Sequence, residues 1–320
     1  MLKVSVAMCT YNGSRFVDDQ LASILAQQRL PDELIVCDDG SSDDTAEKLY
    51  KFKKEAPFPV VVILNQINIG STANFDKAIG MCQGDVIALC DQDDVWRPGR
   101  LLETERLFVR SPDITMVFGD ADIINDHSGR MGRTLWQATR FSRMQRARFR
   151  FNQGFECLLN HNVATGATMA FTSAMRRLVS PIPAAWVHDH WIALICSSVS
   201  KVAVIEKPLI EYRTHAKQQI GAADQPRISS RLSCPRERTL IYCAEQMAAC
   251  KMLQSRLEHI GVAPKYIALC EDKMRHLNHR ASISHSLPGK TASIVIELAR
   301  KRYHRYSNGF LTAARDFVIN

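Results

Sequence analysis

The chain has 320 residues, 46% of them hydrophobic and 23% charged, which is enough to bury a full core and too mixed for a disordered or fibrous protein. No apolar run approaches the ~20 residues of a membrane span, and Met1-Leu2-Lys3 leads into a strand rather than a leader, so a cytoplasmic protein is expected. The net charge of +8 is uneven: residues 230–320 hold 15 Lys+Arg against 7 Asp+Glu, and residues 1–229 balance at 26 of each. The 10 cysteines form no C-x-x-C pair, and Cys9, Cys37 and Cys90 lie inside apolar runs, so they read as buried reduced thiols.

In chain order, Lys3–Cys9 reads as a first strand, followed by the turn Thr10-Tyr11-Asn12-Gly13-Ser14 and a helix over about 15–28. Glu33–Cys37 is a second strand that ends in Asp38-Asp39-Gly40, with Asp43, Asp44 and Thr45 placed to cap a helix running to about Lys54. Pro59–Leu64 is a third strand, and Asn68-Ile69-Gly70-Ser71 opens a third helix through Met81. Val86–Cys90 is a fourth strand, apolar on both faces, that ends in Asp91, Asp93 and Asp94. This β-α alternation predicts a mostly parallel, Rossmann-like sheet flanked by helices, with ligands bound at the carboxyl ends of the strands.

Three carboxylates within four residues repel one another unless a cation sits among them, and a hard divalent ion bridging to a phosphate fits that need. The alternative is an exposed acidic turn capping the helix that starts near Pro98. Neither G-x-G-x-x-G nor G-x-x-x-x-G-K is present, so the usual phosphate cradles are missing. Carboxylates in these loops suit a base N–H, ribose hydroxyls and a metal, the three contacts that a nucleoside diphosphate needs.

Four segments together, AMCTYNG (7–13), ELIVCDDGSSDDT (33–45), NIGSTANF (68–75) and ALCDQDDVW (88–96), resemble the N-terminal half of family 2 glycosyltransferases with the GT-A fold. VATGATMAFTSAM (163–175) is similar to the family's acceptor-side loop and strand. WVHDHWIAL (186–194) is similar to the segment with the catalytic base, and YRTHAKQQIGA (212–222) to the closing motif of the rhamnosyltransferase-like subgroup. Lys217 and Gln218 stand where that subgroup is expected to carry asparagines.

The resemblance implies an inverting, metal-dependent transfer of a sugar onto a cell-surface polysaccharide or lipid-linked glycan. The donor it implies first is dTDP-L-rhamnose, with a UDP-hexose or UDP-N-acetylhexosamine as the alternative. Residue by residue, it implies that Asp38 or Asp39 accepts the base N3–H and that Thr10, Tyr11 and Asn12 flank the base. Gly70 and Asn74 join the nucleotide site. Asp91 meets the ribose and shares with Asp93 and His215 the binding of Mg²⁺ or Mn²⁺. Asp189 is the implied general base. Arg213, Gly166 and Trp191 are candidates for contact with phosphate or acceptor. Each has a plainer alternative: a helix cap for Asp38, Asp39 and Asp189, a surface histidine for His215, and an ordinary ion pair for Arg213.

Residues 130–150 hold seven arginines and no acid, which reads either as a solvated face or as a surface for an anionic acceptor or membrane. The predicted organisation is a GT-A domain over 1–228, with a nucleotide half at 1–98 and an acceptor half at 99–228, followed by a basic helical extension over 229–320. That extension is expected to form helices over 240–259, 265–281 and 291–306. The segment Ile294–Arg302, apolar and then basic, suits a helix lying in a membrane interface or one packed on the core with a solvated basic face. Two other classes remain: a catalytically silent scaffold, which intact Asp91, Asp93 and Asp189 argue against, and a nucleic-acid binder. The basic charge sits in one tail and no nucleic-acid module is present, so no nucleic-acid partner is expected.

Overall fold

The structure, a computed structural model, describes residues 1–215, 236–283 and 286–319. The chain forms two compact units. One holds residues 1–154 and 163–223, and the other residues 155–162 and 224–320. The expected domain junction near 228, and Lys217 and Gln218, lie outside the described residues.

The first unit opens with β1 (Val4–Thr10), α1 (Val17–Leu25), β2 (Glu33–Asp38), α2 (Thr45–Glu55), β3 (Val60–Leu64), α3 (Ser71–Met81) and β4 (Val86–Cys90). It continues through β5 (Val95–Trp96), α4 (Arg100–Arg110), β6 (Ile114–Gly119), β7 (Asp122–Ile124), β8 (Arg130–Thr134), α5 (Leu135–Ala138) and α6 (Arg143–Arg150). After α7 (Gly154–Asn160), most of which belongs to the second unit, come β9 (Ala170–Thr172), α8 (Arg176–Val179), α9 (His188–Val199), β10 (Lys201–Ile205) and β11 (Ile210–Arg213).

The main sheet has seven strands in the order β10-β6-β9-β4-β1-β2-β3. All neighbours are parallel except β9, which runs antiparallel to both β4 and β6. β1 and β4 are buried along their whole length, as expected for central strands covered on both faces. The register pairs Thr10 with Asp38 and Met8 with Cys90, so the chain leaves β1, β2 and β4 at one carboxyl edge. That edge is where an open sheet of this kind binds ligands.

A second sheet, β5-β11-β7-β8, stands beyond the acidic loop. β5 begins one residue after Asp94, and its Trp96 pairs with Ile210 of β11. This two-residue pairing carries the Tyr212-Arg213-Thr214-His215 segment back to the carboxylates.

At α2 the expected capping role falls on Asp43 alone, whose Oδ1 accepts the Thr45 N–H at 3.1 Å; the Asp44 side chain makes no cap bond. In the arginine-rich segment, Arg150 and Arg130 lie 3.0 and 3.6 Å from Glu206 and Glu211, so part of this charge is spent within the fold.

The second unit contains α10 (Arg236–Ile260), α11 (Pro264–Ala281), α12 (Leu287–Ala299), α13 (Arg302–Tyr306) and α14 (Phe310–Ile319). The single helix expected over 291–306 is two helices. Lys301 is left-handed, with φ 58°, and this reversal turns Arg302 back onto Asp272 and Glu297 at 2.7 and 2.9 Å. The unit's interior is polar as well as apolar. His276 Nδ1 lies 2.7 Å from Glu297 Oε2 with both side chains fully buried, and Arg280 makes a two-pronged pair with Asp316 at 2.6 and 3.0 Å.

Removing one partner of such a pair strands the other charge, a loss of about 3–5 kcal/mol in buried cases. Arg280→Ala is therefore expected to lower the unfolding free energy of the helical unit by that margin, and with it the urea midpoint. Far-UV circular dichroism follows the transition, and an unchanged midpoint would contradict the pairing.

Candidate functional site

The acidic loop leaves β4 with Asp93 and Asp94 buried and Asp91 half-buried, so it is not the exposed acidic turn of the alternative reading. Asp93 and Asp94 are 8% and 0% exposed. Burial, reinforced by the charges of Asp93 and Asp189, pushes the Asp91 carboxyl up to about 7. Asp94 is also driven well up, by burial first and by Asp93 and Asp91 next. Its Oδ1 accepts the Arg213 N–H at 2.9 Å, while its buried Oδ2 has no hydrogen-bond partner. These are the energetics of an anion cluster short of positive charge.

Two arginines hold the cluster in place. Arg100, at the start of α4, is buried, donates to the Leu89 carbonyl at 2.9 Å and lies over the Trp96 ring at 4.1 Å. Burial lowers its guanidinium to about 10 against the opposing pull of Cys90, Asp94 and Asp91. Sequence reading missed this residue; its signal was an arginine six residues beyond an acidic loop, at a helix start.

Arg213 is 1% exposed. Its Nε donates to the Asp93 carbonyl at 2.8 Å, its other nitrogens reach Ser128 Oγ and Asp19 Oδ2, and its face lies 4.7 Å over Phe16. Arg213 thus braces the loop from within, and these contacts replace the expected contact with phosphate.

His215 follows on the same strand exit, and its Nε2 stands 2.8 Å from Asp93 Oδ2. Among the described residues no three His, Cys, Asp or Glu groups already converge as a metal cage. The donor types nevertheless fit a hard cation. Carboxylate oxygens of Asp91 and Asp93 and one imidazole nitrogen of His215 suit Mg²⁺ or Mn²⁺, with substrate oxygens and water completing the shell. The orphaned Asp94 oxygen and the raised Asp91 carboxyl mark where positive charge is wanted.

At the neighbouring strand ends, Asp38 and Asp39 are nearly saturated. Asp38 accepts from Thr10 Oγ1, Ser41 N and Ser41 Oγ, and Asp39 from Asn65 Nδ2, Ile69 N and Gly70 N. A carboxylate offers about four acceptor sites, so each has one left for a base N–H. Gly70 sits at φ 83°, a left-handed position that favours glycine, and its N–H fixes the entry to α3. Asn12 binds Ser41 and Ser42 and shapes the loop, while Tyr11 is 48% exposed and open to stacking.

Gln92 clamps Tyr11 by both backbone groups, accepting its N–H at 2.8 Å and donating to its carbonyl at 3.0 Å. The base-side loop and the acidic loop are tied together by this amide. Asn74 is corrected to a structural role: it is 1% exposed, donates to the Cys37 carbonyl and accepts from Asn65.

Asp189 lies in the first turn of α9, where the helix dipole favours a carboxylate. The Gly166 N–H donates to its Oδ2 at 2.9 Å. Gly166 has no room for a side chain, since a Cβ there would stand 2.8 Å from His188 Nε2 and 3.3 Å from Asp189 Cβ. Trp191 does not face a substrate. It is fully buried and its indole N–H donates to the Val179 carbonyl at 2.8 Å.

An open sheet of this topology, with its carboxylates gathered at one edge beside a second small sheet, is a GT-A fold. Residues 5–177 match the family model described as Glycosyl transferase family 2, and the chain belongs to that family. It is a glycosyl-transferring enzyme.

The chain is 26% identical over 234 residues to an uncharacterized glycosyltransferase of Nostoc sp., covering 69% of this chain and 68% of that one. It is 30% identical over 125 residues to the Escherichia coli UDP-Glc:alpha-D-GlcNAc-diphosphoundecaprenol beta-1,3-glucosyltransferase WfgD, covering 39% of this chain and 48% of the relative, less than half its length. In fold it is similar to S. aureus TarS 1–349, with a TM-score of 0.59 at 14% identity over 99% of this chain and 88% of that one.

The raised Asp91 carboxyl gives a pH test on metal-free protein. The unfolded chain releases this proton near the ordinary value of 3.8, and the folded protein holds it until about 7. Folding binds a proton between those values, so stability falls as pH rises through the window. In EDTA, Asp91→Asn is expected to melt above the wild type at about pH 8, by at least the ~2–4 °C that one kcal/mol produces in a domain of this size. The difference should vanish near pH 4. Thermal melts at both pH values check it, and a variant less stable at pH 8 would refute the reading.

Proposed function

We propose that this enzyme transfers a hexose from a nucleoside-diphosphate donor to a lipid-linked or polysaccharide acceptor with inversion, and that Asp189 is the general base. The observation that carries the reading is the meeting of Asp189 with the acidic loop. A carboxylate about a hundred residues downstream in sequence is oriented by the Gly166 N–H at 2.9 Å, in the turn whose Met169 carbonyl accepts the Leu89 N–H of β4 at 3.0 Å, and its charge helps to raise the Asp91 carboxyl.

Asp38 or Asp39 would accept the base N3–H, with Thr10 and the exposed Tyr11 beside the base. Asp91 would meet the ribose, and Asp91, Asp93 and His215 would hold Mg²⁺ or Mn²⁺. The ion, when bound, supplies Lewis-acid stabilisation of the leaving diphosphate. Arg100 and Arg213 keep the loop folded around its own repulsion, and Asp189 takes the proton of the acceptor hydroxyl. A single base with no covalent nucleophile gives inversion at the anomeric carbon.

UDP-linked hexose is the donor we favour, because the E. coli relative is named for UDP-Glc and for an acceptor on diphosphoundecaprenol. dTDP-rhamnose is the second reading, on the strength of the D-Q-D-D-V-W and Y-R-T-H segments. Uracil and thymine present the same N3–H, so the loop carboxylates serve either base.

Calorimetric titration of UDP and dTDP, each with Mn²⁺, Mg²⁺ or EDTA, tests donor and metal together. Metal-dependent binding of UDP, with weaker binding of dTDP, is expected. Binding of neither by folded protein would overturn the donor reading.

For the base, Asp189→Asn is expected to lower kcat by about 10²–10⁴-fold while leaving UDP affinity unchanged. Near-wild-type turnover would move the base elsewhere.

A further inference from the structure

In a water-exposed helix the apolar stripe turns inward and the charges face solvent. Two helices of the C-terminal unit depart from this: beside the inward Ile294 and Ala313 they bury charges, and they leave large apolar side chains exposed. On α12 the charged residues Lys290 and Glu297 are buried, at 8% and 0% exposure, while Val295 and Ile296 are 56% and 46% exposed. On α14 Asp316 is buried at 1%, while Phe310, Leu311, Phe317 and Val318 are 70%, 50%, 42% and 71% exposed.

The inward charges are all engaged. Glu297 meets His276 and Arg302, Asp316 meets Arg280 and Tyr303, and Lys290 donates to the Phe317 carbonyl. α12 and α14 pack against each other, so their outward faces belong to one body. No aspartate or glutamate in residues 286–319 other than these two exists, so the exposed charges of this segment are basic. Arg300, Lys301 and Arg305 carry them at the ends of α12 and α13, with Arg300 and Arg305 60% and 40% exposed although they reach back toward Glu297 and Asp272.

We propose that the α12–α14 face seats the enzyme on an anionic phospholipid bilayer, with the six apolar side chains entering the headgroup–acyl boundary and the three cations meeting lipid phosphates. Ion-paired polar groups inside and uncharged groups outside is the arrangement favoured in an apolar medium. None of the described helices is long and apolar enough to cross a membrane, and α12 and α14 have 13 and 10 residues, so the contact lies in the plane of the interface. A second copy of the chain is a poorer occupant, because an isologous pairing would oppose two sets of the same cations. The proposal stands on the helical unit alone and is independent of the donor reading.

The test is co-sedimentation of the full chain with phosphatidylcholine vesicles, with and without phosphatidylglycerol, and sedimentation velocity without lipid. The wild type is expected to stay monomeric and to bind the anionic vesicles at least about tenfold more tightly than the neutral ones, with affinity falling as salt rises. Val295→Gln/Phe317→Gln/Val318→Gln should weaken anionic-vesicle binding by about tenfold or more. Lys301→Glu should weaken it less and reduce its salt dependence. Circular dichroism and thermal melting confirm that each variant is folded.

Failure of the folded wild type to bind anionic vesicles would overturn the proposal. So would undiminished binding by the folded triple variant. A wild-type dimer that this variant dissociates would overturn it in favour of a protein–protein contact.

Discussion

The site depends on keeping three carboxylates together, two of them buried and the third half-buried. Asp91, Asp93 and Asp94 leave β4 within four residues, and in the absence of positive charge they would open the loop. The fold opposes this from two sides. Arg100 lies over Trp96 beneath the loop, and Arg213 grips its backbone at Asp93 and its side chain at Asp94. Neither arginine neutralises the cluster, since Asp94 keeps an orphaned oxygen and Asp91 holds its proton to about pH 7. What remains is a loop rigid enough to persist and still short of one cation.

The second sheet follows from the same constraint. Its two-residue strand β5 has little to stabilise it by itself, but it pairs with β11 immediately after the acidic loop. That pairing fixes the register in which Arg213 and His215 arrive. A slip of one residue would turn Arg213 to the opposite face and remove the brace. The aromatic ring of Phe16, before α1, completes the seat by packing under Arg213 and 5.0 Å from His215. Residues from four separate stretches of the first 215 therefore converge on one loop.

The β-α alternation was legible because hydrophobic runs and turn residues are local signals, and the strand ends fell within a residue or two of those expected. The carboxylates were legible too, since their spacing is improbable for a plain turn. Side-chain direction was not. Asn74 and Trp191 stand in segments that resemble functional ones, yet both point into the core, because helix phase decides which face a residue joins. Arg100 carried only the weak signal of its place at a helix start after the acidic loop, which does not separate a buried arginine from a solvated one. The break at Lys301 was hidden for a similar reason: it brings Arg302 onto Glu297 and onto Asp272, the latter thirty residues away in sequence.

The two units treat buried charge in opposite ways, and the contrast separates catalysis from support. In the helical unit Arg280–Asp316 and His276–Glu297–Arg302 are closed sets, each charge meeting a partner of opposite sign or a hydrogen-bonding group. Such sets fix one packing of the helices and leave nothing for a ligand to complete. In the sheet unit the acid loop is an open set, stabilised enough to hold its shape but with Asp91 and Asp94 pushed toward holding their protons for want of positive charge. An open set destabilises the free protein, and under the proposed function a bound cation and diphosphate would close it. On α12 and α14 the inward charges Lys290, Glu297 and Asp316 are paired in the same closed manner, while the apolar side chains at Val295, Phe317 and Val318 are left outward.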